Sequence, residues 1–158
     1  MYRRVALAAL GVAIVILAGF GRSPTRGQDR PPGKGHEHGP NVECARACAV
    51  CAFQCESCFD HCVRLVAEGK KEHTRTLRLC NDCGEICAVA GKVVSRQGPL
   101  QVTICESCAR ACDVCGAECE KFESDEHMRA CAKACRECAK ACRDMIKHAG
   151  HEGTGGTR

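Results

Sequence analysis

The sequence of 158 residues contains no Trp, a single Tyr and only four Phe. The Tyr is Tyr2, and the Phe residues beyond the N-terminal segment are Phe53, Phe59 and Phe122. A domain so poor in large apolar side chains needs another filling for its interior, and only Cys and Ala are abundant. Because a free thiol packs as a small apolar group, we expect the eighteen Cys residues themselves to form the core.

A strong excess of one charge is also missing. The formal net charge is +4, and Arg3 and Arg4 in the N-terminal segment account for part of it. Elsewhere Lys and Arg alternate with Glu and Asp, which is typical of solvated helix faces. This balance argues against a basic surface for nucleic acid, so we expect no nucleic-acid partner. The length suits one compact domain.

Residues 1–21 resemble an export signal. Arg3 and Arg4 precede an apolar run from Val5 to Phe20, and small residues follow near Gly21. We therefore expect an exported, periplasmic protein, and the paired arginines are typical of the twin-arginine route. No A-x-A cleavage site is present, and the apolar run is almost long enough to span a bilayer. An uncleaved membrane anchor is therefore the alternative.

The rest of the chain divides into a linker, a helical domain and a tail. Residues 22–40 are rich in Gly, Pro and charge, which predicts a flexible linker. Residues 150–158 are Gly-rich and predict a disordered tail. Between them, residues 41–149 carry helical signals: Asn41 and Ser124 as N-caps, Gly69 as a stop, and the breaker Gly98-Pro99. The predicted helices cover residues 41–68, 71–97, 100–123 and 125–149. Such long helices with short loops predict an all-α, antiparallel, up-down-up-down four-helix bundle.

Every step between successive Cys residues within a predicted helix is three or four residues. This is the spacing of the inward seam of a packed helix, where Leu or Ile would normally stand. The sequence therefore predicts a cysteine-lined core. We expect all eighteen thiols to be metal ligands: Cys44, Cys48, Cys51, Cys55, Cys58, Cys62, Cys80, Cys83, Cys87, Cys105, Cys108, Cys112, Cys115, Cys119, Cys131, Cys135, Cys138 and Cys142.

Other uses of such thiols fit less well. Disulfides need Cβ atoms about 3.5–4.5 Å apart, whereas neighbours on one helix face are about 5–6 Å apart. Cross-helix disulfides remain an alternative, although a scaffold needs only two or three. Zinc sites usually appear as separated Cys pairs. Ferredoxin clusters need irregular loops and a Cys before Pro, which this chain lacks.

Copper(I) fits the seam best, because this soft ion favours thiolate and accepts two ligands in a near-linear arrangement. Two thiolates so arranged are about 4–5 Å apart, which side chains one helical turn apart can offer. Thiolates that each bridge two ions would give about one metal per thiolate and a neutral core. We therefore expect many Cu(I) ions in each chain, with an upper limit of about 18.

Antiparallel connectivity brings four further donors to one end of the bundle, near Cys62 and Cys119. Each of them alone is equally consistent with an ordinary surface or core position. Their shared location favours a copper entrance, because imidazole and thioether are donors that copper accepts. The predicted entrance residues are His61, His73, His127 and Met128.

Over residues 41–149 the sequence resembles the Cys-rich four-helix-bundle copper storage proteins. The resemblance rests on the ladder of Cys pairs, such as Cys44–Cys48, Cys51–Cys55, Cys108–Cys112, Cys115–Cys119 and Cys138–Cys142. It implies a bundle that holds many Cu(I) ions, has His and Met near an open mouth and is often tetrameric. It also implies copper homeostasis as the context, with a copper chaperone or a recipient copper enzyme as a partner.

The predicted function is copper storage or detoxification without catalysis. No nucleophile–base pair suggests an enzyme. Two alternatives remain open at this point. One is a thiol–disulfide redox protein, which would need an exposed Cys pair of low pKa. The other is a disulfide-stapled helical module for protein interaction.

Overall fold

The computed structural model describes the backbone of residues 39–152 and the side chains of residues 39–149. The predicted export signal and nearly all of the predicted linker lie outside these residues, as does the tail beyond residue 152. Single 3₁₀ turns at Lys71–His73 and Glu120–Phe122 adjoin the second and third helices. The helices are α1 (Pro40–Ala67), α2 (Thr74–Ser95), α3 (Gln101–Cys119) and α4 (Glu126–Glu152).

The four helices form a ring in which each packs against two neighbours. Helix α1 contacts α2 and α4, and α3 contacts the same two helices from the opposite corner. Short loops reverse the chain between successive helices, so neighbours are antiparallel. The predicted all-α, up-down-up-down bundle is confirmed. Among residues 39–152, no helix combines the length and the apolarity that a membrane crossing requires.

The first helix begins one residue earlier than expected, and Asn41 does not cap it. Gly39 holds the cap position, where its carbonyl accepts hydrogen bonds from the backbone N–H groups of Val42 and Glu43. Pro40 then occupies the first turn, where its fixed φ angle suits a helix and its missing N–H has no cost. The sequence prediction overlooked this preference of Pro for the first helical position.

The fourth helix also departs from the prediction at both ends. Asp125, and not Ser124, caps it: the Asp125 carboxylate accepts a hydrogen bond from the backbone N–H of Met128 at 3.2 Å. At the other end the helix continues through Gly150 to Glu152. A single Gly lowers helix propensity by about 1 kcal/mol relative to Ala but does not by itself end a helix.

The second and third helices are shorter than predicted because their outer turns tighten into the 3₁₀ turns. Gly69 ends α1 as expected, with φ of 91°. The N–H groups of Gly69 and Lys70 bond back to the carbonyls of Val66 and Leu65, which satisfies two of the last carbonyls of the helix.

The core consists mainly of sulfur and Ala. All eighteen Cys are buried, and Met128 and Met145 close the two ends of the α4 seam. Small residues allow the helices to approach closely. A Cβ atom at Gly116 on α3 would lie 3.2 Å from Cβ of Cys135 on α4, a very tight contact. The narrow bundle therefore brings sulfur atoms of all four helices to one axis.

The assignment of the α4 cap can be tested by two alanine variants of the reduced, metal-free protein. We expect Asp125→Ala to lower the free energy of unfolding by about 1 kcal/mol, because the Met128 N–H loses its acceptor. Ser124→Ala removes a side chain that does not cap the helix and should change stability by less than about 0.5 kcal/mol. Urea unfolding measures both values. A larger loss for Ser124→Ala would contradict this assignment.

Candidate metal centre

The eighteen predicted sulfur ligands are all free thiols and are at most 2% exposed. The shortest distance between two thiol sulfurs is 3.5 Å, between Cys87 and Cys112. A disulfide bond is about 2.05 Å long. The core is therefore neither stapled by disulfides nor open to solvent through an exposed Cys pair. These two facts weigh against the disulfide-stapled module and the redox protein.

The sulfur contacts cross the bundle axis. Between the diagonal helices α1 and α3, Cys44 Sγ lies 3.7 Å from Cys105 Sγ. Between the other diagonal pair, α2 and α4, Cys80 Sγ lies 3.9 Å from Cys131 Sγ. Because contacts reach across both diagonals, the thiols form one continuous column and not four separate seams.

Neighbouring groups of four sulfurs share members. Cys131 illustrates this, because it belongs to two groups whose sulfur atoms all lie within 4.8 Å of one another. An array of separate tetrahedral sites would give each metal its own four ligands. Shared thiols suit ions that are bridged by common sulfurs. The two groups are Cys55, Cys115, Cys131 and Cys135, and Cys58, Cys80, Cys119 and Cys131.

The protons of the thiols are shared among neighbours. Hydrogen bonds to neighbouring thiols, first of all Cys112, raise the pKa of Cys135 far above its ordinary value, and burial raises it further. The pKa of Cys138 is raised in the same way, first by its hydrogen bond to Cys108. Conversely, hydrogen bonds from Cys112 and Cys135 lower the pKa of Cys51, although burial opposes this. Metal that binds the thiols of raised pKa must displace their protons.

The structure brings three of the four predicted entrance residues to one contact region. The rings of His61 and His127 stack with centroids 4.3 Å apart. Nε2 of His61 donates a hydrogen bond to Oδ2 of Asp125 at 2.7 Å. Sδ of Met128 lies 3.4 Å from Sγ of Cys58. Asp125 also caps α4 beside Met128. Together, these four residues connect the exposed His127 to the buried sulfur column.

The fourth predicted entrance residue, His73, has a different environment. Its ring packs against Phe122, with centroids 4.3 Å apart, and the residue is only 8% exposed. Its Nδ1 is buried and has no hydrogen-bond partner among residues 39–149. The sequence could place His73 on the inward face of its helix, but it could not show this burial under Phe122.

Sequence reasoning missed two charged residues at this end. The predicted helix over residues 125–149 includes Asp125, but the sequence does not reveal that Asp125 contacts His61. Burial raises the pKa of Asp125, but hydrogen bonds from His61 and the Met128 N–H outweigh burial and hold that pKa below its ordinary value. Glu118, the second residue, is buried and accepts hydrogen bonds from Arg75 at 2.9 Å and Lys121 at 2.8 Å. Only the Glu118–Lys121 spacing was visible in the sequence.

The sequence and the fold match known copper storage proteins. The family described as copper storage protein (Csp) matches residues 37–147. A Bacillus subtilis protein, described as the uncharacterized cysteine-rich protein YhjQ, is 41% identical over 92 residues, which cover 58% of this chain and 82% of that protein.

Solved structures agree with this match. The Cu(I)-bound copper storage protein BsCsp3 is 36% identical, with a TM-score of 0.63 over 68% of this chain and 99% of that chain. Ccsp from Streptomyces lividans, solved with 10 copper equivalents, is 30% identical, with a TM-score of 0.63 over 68% of this chain and 84% of that chain. A related structure describes the Streptomyces lividans protein as cytosolic. The family match spans most of the chain and includes every Cys, so this chain belongs to the copper storage protein family.

Proposed function

We propose that this protein stores Cu(I) in its cysteine column without catalysing a reaction. The observation that carries the proposal is the set of eighteen free, buried thiols that contact one another across all four helices. Structures of relatives described as Cu(I)-bound and as loaded with 10 copper equivalents support it. All eighteen Cys are the proposed ligands.

The sharing of thiols between neighbouring groups favours Cu(I) over a row of separate zinc sites. Contacting thiols of the column are 3.5–4.0 Å apart. Two thiolates on a near-linear Cu(I) are roughly 4–5 Å apart, so small rotations of the side chains suffice to admit the ion. Separate tetrahedral zinc sites would use four ligands for each ion, whereas the groups around Cys131 share a ligand.

Charge balance sets the capacity. Unpaired thiolates in a dry interior would be very costly, and one Cu(I) for each thiolate removes that cost. With each sulfur bridging two ions, the column takes up to about 18 Cu(I) per chain. Each ion that enters releases one proton, because only the thiolate binds the metal.

Anaerobic titration of the reduced protein with Cu(I) tests this proposal. We expect binding of more than ten ions per chain, up to about 18, with little change in helix content because the thiols already pack the empty core. Affinity should fall as the pH is lowered, because protons compete for the thiols whose pKa values are raised, such as Cys135 and Cys138. Metal analysis, thiol counting and circular dichroism give the three readouts.

A paired variant provides the control for that titration. Cys51→Ala with Cys112→Ala removes two contacting thiols from the middle of the column and should lower the capacity by about two ions. Saturation of the unaltered protein at one or two ions per chain would overturn the storage proposal.

The same proposal includes a copper entrance at the end formed by His61, His127 and Met128. Because His61 donates its Nε2–H to Asp125, its Nδ1 keeps the lone pair that a metal needs. The exposed His127 stacks on this ring, and Met128 offers a thioether in contact with Cys58. A copper ion could therefore pass from imidazole to thioether to thiolate. His73 belongs to the proposed entrance only as an inner donor, since it is buried.

Loading kinetics test the entrance. We expect the double variant His61→Ala, His127→Ala to take up Cu(I) from a chelator complex at least roughly threefold more slowly, because two surface donors are lost. Its capacity should match that of the unaltered protein, since all thiols remain. His148→Ala removes an imidazole near the C-terminal end of α4 and serves as the matched control. Equal uptake rates in all three proteins would rule out this entrance.

We further propose that residues 1–21 direct export to the periplasm. Support comes from Arg3, Arg4 and the apolar run that follows, which precede the family match at residue 37. Because one relative is described as cytosolic, an experiment must distinguish the periplasm from the cytosol. Cell fractionation shows where the native chain is, and its mass shows whether residues 1–21 have been removed. An intact chain in the cytosol would contradict export.

Self-association and transfer partners complete the proposal. Phe53 is 69% exposed, and Val50 lies one turn before it on the same face of α1. These side chains offer a surface to a second copy of the chain, as the tetramers of the resembling family suggest. Sedimentation velocity distinguishes a monomer from an oligomer. A copper chaperone or a recipient copper enzyme stays a prediction from the family resemblance.

A further inference from the structure

Thr76 occupies a position of the α2 seam where a Cys would continue the series. It stands four residues before Cys80 and is fully buried. Its hydroxyl Oγ1 has no hydrogen-bond partner among residues 39–149. A Thr hydroxyl inside a helix can bond to the carbonyl four residues earlier, and an unpaired buried hydroxyl is destabilising. This hydroxyl is therefore a buried donor without an acceptor among residues 39–149.

The register of the bundle shows what Thr76 faces on α3. Successive sulfur contacts between α2 and α3 lie three or four residues earlier in α2 and three or four residues later in α3, because the two helices are antiparallel. They occur in the pairs Cys87–Cys108, Cys83–Cys112 and Cys80–Cys115. One further step places Thr76 level with Cys119. The contact of 3.9 Å between Cys80 and Cys119 agrees with this register.

The other two helices complete this level of the bundle. Cys80 contacts Cys131 on the parallel helix α4, so Thr76 lies level with the turn that carries Met128. Met128 in turn contacts Cys58 on α1, one turn before Cys62. We call Cys62, Thr76, Cys119 and Met128 the terminal layer. It is the last level of the column that holds thiols at this end.

We propose that Thr76 is a positioning residue for copper in the terminal layer: its hydroxyl donates a hydrogen bond to the Cys119 sulfur when that sulfur is a metal-bound thiolate. The proposal rests on the copper-storage function proposed above. A protonated thiol is a weak acceptor, whereas a thiolate accepts a strong, charge-assisted hydrogen bond. Groups that bond to metal ligands orient them and tune their affinity. Loading would therefore give the unpaired hydroxyl its partner.

Two variants at this position separate the roles of shape and hydroxyl. Thr76→Val keeps the shape but removes the hydroxyl, and Thr76→Ser keeps the hydroxyl. The matched control is Thr103→Val, which replaces Thr by Val at an exposed position of α3. Circular dichroism of each reduced, metal-free protein first shows that the bundle is intact.

The metal-free proteins give the first readout. We expect Thr76→Val to raise the midpoint of urea unfolding, because it removes a buried polar group that has no partner. Competition with a chromophoric Cu(I) chelator gives the second readout. The capacity of Thr76→Val should be unchanged, while about one ion per chain binds roughly tenfold more weakly, as loss of a hydrogen bond to a charged group predicts. Thr76→Ser and Thr103→Val should bind copper like the unaltered protein.

The possible results lead to distinct conclusions. Unaltered copper affinity in Thr76→Val, or equal weakening in Thr76→Ser, would overturn the hydrogen-bond role. A lower unfolding midpoint for Thr76→Val would show that the hydroxyl already supports the empty bundle, which also overturns it. Failure of the storage function would instead appear in the unaltered protein, as saturation at one or two ions.

Discussion

Packing between thiols across the bundle axis holds this protein together. In most bundles Leu and Ile fill the interior, and their bulk keeps the helices about 8–10 Å apart. Here the same positions carry Cys on every helix, and contacts such as Cys44 with Cys105 and Cys80 with Cys131 span both diagonals. The helices must approach closely for such short side chains to meet, which explains the tight passage of Gly116 beside Cys135. Folding and metal binding therefore depend on the same atoms.

This dependence separates the bundle into a uniform middle and a distinctive end. In the middle, the groups around Cys131 share thiols, so one sulfur can serve more than one ion. At the end formed by the α1 C-terminus and the α4 N-terminus, sulfur gives way to other donors. Asp125 links the two helices there, since it caps α4 and accepts a hydrogen bond from His61. A single carboxylate thus positions both an imidazole and the turn that carries Met128.

The sequence allowed much of this arrangement to be predicted, because a helical repeat of three or four residues determines which residues share a face. That rule placed all eighteen Cys inside and predicted the bundle. It could not distinguish Asp125 from Ser124 as the α4 cap, because both residues can cap and the choice depends on where the loop turns. It also could not reveal the burial of His73 against Phe122 or the level shared by Thr76 and Cys119. Both depend on the register between helices, which a pattern within one helix does not contain.

The separation and burial of the sulfur atoms have a consequence for oxidation of the thiols. Even the closest pair, Cys87 and Cys112, would have to move about 1.5 Å nearer to form a covalent bond. Each sulfur is attached by a short side chain to a long helix, and these helices pack on two neighbours each. A disulfide therefore requires two sulfurs to turn toward each other and an oxidant to reach them, and the closed bundle leaves each thiol at most 2% exposed. Oxidation of the column thus has to wait for the bundle to open.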